Sequence, residues 1–215
     1  MMTSSRAFPC IALANAALPL LMLAGCASPP STSGAYLAPK PGSTVEYRMT
    51  NTGSFGNGTS LAMMRISEAS WQGQSVLRYE GPTGSVLNND QAGAVAMLDP
   101  AGRPAVSYEP ALGYQWPLAV GKTWESNHVV TTATGTRFPM KASWKVEALE
   151  DVVVPAGRFK AWRVTMTDNL GFRQTSWSVP QQLGMFAKRL SERPAGHPQG
   201  AGTQLYEMTQ VPAIR

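Results

Sequence analysis

Between Met140 and Ala148 the chain alternates without a break: Met140, Ala142, Trp144, Val146 and Ala148 fall on one phase, Lys141, Ser143, Lys145 and Glu147 on the other. Successive side chains of an extended chain point to opposite faces, so this is a strand buried on one side and wet on the other. The same period of two recurs along the chain. Val45, Tyr47 and Met49 alternate with Glu46, Arg48 and Thr50; Trp162, Val164 and Met166 are in phase within Arg158 to Thr167; Tyr206 and Met208 share a face within Thr203 to Val211. Shorter runs at Leu61 to Ser67, Ser75 to Glu80, Ser85 to Asn89, Ala94 to Asp99, Ala105 to Glu109, Ser126 to Thr132, Phe172 to Val179 and Met185 to Leu190 lie between turn signals such as Gly81-Pro82, Asp99-Pro100-Ala101-Gly102 and Pro155-Ala156-Gly157. No stretch sustains helical periodicity for three turns. The expected fold is all-β: an antiparallel, strongly curved sheet of about ten to twelve strands, closed as a half-barrel, barrel or sandwich.

The connections carry their own expectations. Gly53, Gly56 and Gly58 lie in a polar hairpin tip, and their spacing is not that of a phosphate-binding fingerprint. Trp116 and Trp124 bracket Pro117 and Gly121, which predicts a corner closed by aromatic packing. Glu150-Asp151 is expected to open a turn before Val152 to Val154, and Ser191 to Gly202, with three glycines and two prolines, to form a long mobile loop.

The first 25 residues have a different character. Arg6 precedes an apolar stretch from Ala7 to Ala24, which Pro9, Asn15 and Pro19 make too broken for a membrane span of about 20 apolar residues. Leu23-Ala24-Gly25-Cys26 closes it, and these four residues resemble the lipobox of bacterial lipoproteins. That resemblance implies cleavage before Cys26, acylation of its sulfur and attachment to a membrane through the acyl chains. Ala27 and Ser28 follow with no Asp, which in that family favours the outer membrane, facing the periplasm. Two or more acyl chains give stable attachment, at about 0.8 kcal/mol per buried methylene.

The domain plan follows: residues 1–25 a signal peptide, 26–42 a tether with four prolines and no periodicity, and 43–215 a single β domain. Cys10 leaves with the signal, so Cys26 is the only remaining cysteine and no internal disulfide can form. The other 190 residues can bury a sizeable core without staples. Their basic excess sits in the second half, where residues 137–193 hold ten bases and five acids. Such an excess suits a solvated sheet face, anionic head groups or an anionic ligand. No nucleic-acid motif is present.

A second resemblance covers roughly residues 114–190. Val152-Val153-Val154-Pro155-Ala156-Gly157-Arg158-Phe159, then Trp177-Ser178-Val179-Pro180 and Leu183-Gly184-Met185-Phe186-Ala187-Lys188, resemble a signature of uncharacterised bacterial secreted proteins and lipoproteins; Pro117 to Trp124 resembles the element preceding it. The family pattern reads Val-Pro-Ala-Gly-Thr-Phe, so Arg158 stands where it has Thr. The resemblance implies a curved antiparallel sheet similar to half-barrels that hold acyl chains, and it brings no catalytic residues.

Candidates for chemistry are few. His128 and His197 have no second ligand at metal spacing, Glu147, Glu150 and Asp151 cluster where solvation accounts for them, and neither a His-Glu-x-x-His run nor a Gly-x-Ser-x-Gly elbow occurs. No cofactor is expected. Met140, Trp144, Trp162, Met166 and Trp177 fall on apolar phases of neighbouring strands, where they either fill a core or line a lipophilic groove. The reading is a membrane-anchored, non-enzymatic envelope lipoprotein, a binding or scaffold module whose partner is a lipid or an envelope protein; the alternative is a secreted hydrolase whose groups converge only in the fold.

Overall fold

The structure is a computed structural model and describes residues 36–179 and 185–214. Cys26, most of the tether and the 180–184 connection lie outside the described residues. Twelve strands follow in order: β1 (Ser43–Gly53), β2 (Gly58–Trp71), β3 (Gln74–Gly81), β4 (Gly84–Asn88), β5 (Ala94–Leu98), β6 (Pro104–Leu112), β7 (Thr123–Thr132), β8 (Arg137–Val154), β9 (Gly157–Asp168), β10 (Arg173–Val179), β11 (Met185–Arg193) and β12 (Gly202–Ile214). Each pairs with the next in the chain and β12 pairs with β1, giving a closed antiparallel barrel with no free edge. The described residues contain no helix.

Closure follows from the alternation. Each strand has one apolar phase, and a sheet of this width can bury a single face by wrapping it around itself. Three hydrogen-bonded rows show how the inside is filled. One holds Trp162 and Ser178 on β9 and β10, Phe186 opposite Ser178, and Met208, Tyr47 and Ala62 across β12, β1 and β2. All six are buried. A second runs Val146, Val164, Ser176, Arg189, Tyr206, Met49, Ser60. The third runs Trp144, Met166, Gln174, Ser191, Gln204, Asn51.

The outside is wet. The row facing outward between the first two is Arg163, Trp177, Lys188, Glu207, Arg48. The outer face carries charges of both signs, with Leu61 and Met63 exposed opposite Arg48 and Glu46, while Tyr, Trp, Met and Val lie within.

Two expectations need correction. Glu150-Asp151 is not a turn: β8 continues through it to Val154, and the hairpin reverses at Pro155-Ala156. A bulge between Val146 and Ala148 interrupts the pairing with β9 and places Ala148 opposite Arg163 and Leu149 opposite Trp162; Met140, Ala142, Trp144 and Val146 are buried before it, and Val152 and Val154 beyond it, with Val153 62% exposed. An extra residue mid-strand reads in sequence as the end of one run and the start of another. Ser191 to Gly202 is also shorter and better organised than expected. β11 runs to Arg193, and the remaining loop is turned by Pro194 and His197 carbonyls accepting from the His197 and Gly200 amides.

The predicted aromatic corner exists, built through intermediaries. Tyr114 packs edge-on against Trp116 and Trp144, and Trp144 stacks on Trp124 at 5.4 Å. Tyr36 stacks on Trp116 at 5.4 Å, and its hydroxyl lies 3.2 Å from that of Tyr79. The described chain therefore begins packed against the end of the barrel at which β1 starts, termed the near end below.

Candidate functional site

The three rows differ in what they offer a ligand. The row nearest the near end is dry. In the next two, one side of the wall is apolar, with Val146, Val164, Trp144 and Met166 buried, while the β10–β12–β1 side presents Arg189, Gln174, Gln204 and Asn51, all half-buried. That side of the wall is therefore polar and partly exposed. Asn51 Oδ1 is buried there without a hydrogen-bond partner, and Gln204 Nε2 meets only the Met49 sulfur, at 3.7 Å.

Arg189 is the least expected group on that wall. Its Nε–H donates to Ser176 Oγ at 3.2 Å, and its guanidinium lies 3.9 Å from the centre of the Phe186 ring. All 13 Asp and Glu residues of the chain lie in the described region, and none forms an ion pair with Arg189. Its other neighbours are phenols. Burial pushes the Tyr47, Tyr79 and Tyr206 hydroxyls above their ordinary range, and the pull of Arg189 in the opposite direction is smaller. They stay protonated at neutral pH and leave the cation uncompensated. The Tyr47 hydroxyl is itself occupied, donating to the Phe186 carbonyl at 2.9 Å.

Arg193, four residues along the same inward phase, repeats the theme. It stacks on Phe55 at 3.8 Å, donates from Nη1 to Ser54 Oγ at 3.2 Å, keeps a buried Nε without a partner, and has no carboxylate in ion-pair range. Desolvation holds its pKa below the usual arginine value. A cleft of about 600 Å³, lined by Thr52, Glu192, Arg193 and Thr203 among others, opens beside it. A smaller groove of about 300 Å³ follows the outer face of β8 to β10 past Lys145, Glu147, Thr165 and Arg173.

The residues singled out from sequence divide. Met140, Trp144, Trp162 and Met166 face inward at 7%, 6%, 5% and 4% exposure, and the last three belong to one packed cluster with Leu118, Trp124, Val146 and Val164. They form wall and core rather than an open lipophilic groove. Trp177 does not join them. Ser178, not Trp177, pairs with Trp162, so Trp177 turns outward, donates from Nε1 to Glu150 at 2.8 Å and lies 5.2 Å beneath the Lys188 ammonium. Glu150 also pairs with Arg163 at 3.4 Å, while Glu147 pairs with Lys145 and Asp151 with Arg158 and Lys160.

His128 is buried on the inward face of β7. Its Nδ1 lies 2.8 Å from the Pro110 carbonyl, which can only accept, so Nδ1 carries a proton. In the neutral ring Nε2 then accepts from the Ser126 hydroxyl at 2.8 Å, and Trp144 Nε1 donates to the same oxygen at 3.2 Å. His197 caps its own loop, accepting from the Gln199 amide through Nδ1. Among the described residues no group of three His, Cys, Asp or Glu side chains could hold a metal.

Sequence reasoning missed Arg189, Gln174, Gln204 and Asn51. On β10 and β11 both phases are largely polar: Gln174, Ser176 and Ser178 face inward, as do Arg189 and Ser191. Periodicity cannot choose a face there, and only pairing with the apolar phases of β9 and β12 decides it.

The fold and wall together define a closed, wet-faced β-barrel with a partly polar lumen. No protein-family model and no curated protein matches the chain. Among solved structures it is similar to a protein from Bacteroides fragilis NCTC 9343, described as exported and of YMCC-like fold, at 8% identity and a TM-score of 0.43. It is also similar to one from Parabacteroides distasonis ATCC 8503, described as a lipoprotein, at 9% identity and a TM-score of 0.39. Each alignment covers 83% of this chain and 99% of the other.

Proposed function

We propose that the protein is an envelope lipoprotein, tethered through Cys26 to the outer membrane and facing the periplasm, whose barrel is a non-enzymatic binding module. The observation that carries the binding role is the half-buried polar wall of Arg189, Gln174, Gln204 and Asn51 inside an otherwise apolar barrel. A wall built only for packing would be apolar, because each buried polar group without a full set of partners costs about 1 to 3 kcal/mol. The ligand is small and polar, since the Trp and Met residues that a lipid tail would need are packed against one another. The lipobox resemblance supports the anchor, and the first described residue, Tyr36, stacks on Trp116 at the near end.

Native mass spectrometry of protein released from membranes in mild detergent tests this reading. The expected result is an acylated chain carrying one non-covalent small molecule, lost from a Gln174→Leu, Gln204→Leu double variant; an empty barrel with unchanged stability in the double variant would sink it. The hydrolase alternative has one observation in its favour, the Ser126 to His128 hydrogen bond. Against it, His128 is oriented by a carbonyl instead of a carboxylate, and Trp144 also holds the Ser126 oxygen. A fluorophosphonate probe that labelled Ser126 in the wild-type protein and not in Ser126→Ala would favour the enzyme.

A further inference from the structure

Arginine is taken out of water at a cost, and it is normally met by a carboxylate or by enough neutral acceptors to use its five N–H groups. The inward face of β11 carries two arginines, Arg189 and Arg193, on either side of Ser191. No carboxylate side chain of the chain forms an ion pair with either arginine. Glu192, between Ser191 and Arg193, lies on the opposite phase of β11, and Glu207 faces outward, engaged by Arg48 at 2.7 Å and Lys188 at 3.9 Å. The phenols around Arg189 are neutral, and Arg189 and Arg193 each have one hydroxyl partner and one ring beneath. Two inward-facing cations thus share one wall, and neither has an ion-pair partner in the protein.

We infer that the β11 wall binds a small anion bearing a carboxylate or a phosphate, with Arg189 gripping the charged group and Gln174, Ser191 and Gln204 lining the approach. This rests on the binding-module reading and specifies its ligand class. The guanidinium fork matches either group through paired N–H donors. Nε of Arg189 is already committed to Ser176, which fixes the plane of the fork and leaves its terminal nitrogens for the ligand. The Phe186 ring lies against the guanidinium, its centre 3.9 Å away. Arg193 supplies a second positive charge, which favours entry of an anion through the lumen.

The test uses the full lipidated protein in zwitterionic detergent, titrated at constant ionic strength with inorganic phosphate in one arm and acetate in the other. Two signals are followed: the side-chain Nε–Hε resonances of Arg189 and Arg193, and the thermal unfolding midpoint. Saturable movement of the Arg189 resonance and a rise in midpoint are expected in at least one arm, and the arm that saturates at lower concentration distinguishes phosphate from carboxylate. Arg189→Met should weaken the response roughly 10- to 100-fold, the loss expected for a charge-assisted hydrogen-bonded contact. Arg48→Met, on the outer face, should leave it unchanged. No saturable movement in either arm, or an equal response in Arg189→Met and wild type, would overturn the anion assignment. Recovery of a neutral molecule from the barrel with no response to either anion would overturn this inference while leaving the binding module standing. An empty, unresponsive barrel would remove both. The resonance measurement needs only the wild-type protein, so it decides the matter even if Arg189→Met fails to fold.

Discussion

Single side chains in this barrel do two different jobs, and substitutions should separate them. Trp144 is core: it stacks on Trp124, meets Tyr114 edge-on and is 6% exposed. Trp144→Ala is expected to cost about 3 to 5 kcal/mol in chemical denaturation. Trp177→Ala, on the outer face, loses one hydrogen bond and a cation–π contact and should cost clearly less; equal costs would mean that the inward and outward phases are misassigned. Asp99 shows how a surface carboxylate sets a turn. Its oxygens accept from the Arg103 and Ala101 amides and from Arg103 Nε, all at 2.8 to 2.9 Å, and these bonds hold its pKa below the ordinary carboxylate value. A depressed folded pKa stabilises above the unfolded value and loses that contribution as pH falls through the folded one. Asp99→Asn should therefore narrow the gap between neutral and acid stability, measured as unfolding midpoints across that range.

At the scale of elements, the turns are as specific as the strands. Gly84 opens β4 at φ +126°, and a Cβ there would collide with the carbonyl oxygen of Leu98 on β5. Gly102 has φ +80° with open space around it. Gly102→Ala should cost about 1 to 2 kcal/mol of left-handed strain. Gly84→Ala should cost that and also the displacement of a paired strand, so the β4–β5 ladder should lose amide exchange protection in Gly84→Ala and keep it in Gly102→Ala. The bulge in β8 acts over a longer range. It falls between the part of this 18-residue strand that buries Trp144 in one cluster and the part that buries Val152 and Val154 in another, where the Ala156 amide donates to the Met208 carbonyl of β12.

For the whole molecule, the tether and the barrel make separable predictions. Acylation at Cys26 should appear in intact-mass analysis of membrane-extracted protein as cleavage before Cys26 with added acyl mass, and Cys26→Ser should release the chain from the membrane or stall its processing. A soluble, unacylated mature form would end the lipoprotein reading while leaving the barrel and its polar wall untouched.

How much of this was legible in the residues depends on where the phases are unequal. Met140 to Val146, Val45 to Met49 and Trp162 to Met166 carry apolar groups on one phase and polar groups on the other, and each buries its apolar phase as the alternation requires. An all-β, antiparallel, strongly curved sheet of about this many strands was determined by sequence alone, because local hydrophobic contrast decides which side of a strand leaves water. Closure into a barrel was not, since it depends on β12 meeting β1 at separations of 149 to 171 residues. Nor was the orientation of β10 and β11. Their phases differ too little in hydrophobicity, so neighbouring strands impose the register, turning Trp177 outward and Arg189 inward. The candidate site lies on those two strands for the same physical reason: a wall that must be polar on the inside carries no hydrophobic period to announce it, and only tertiary pairing decides which of its polar faces becomes the lumen.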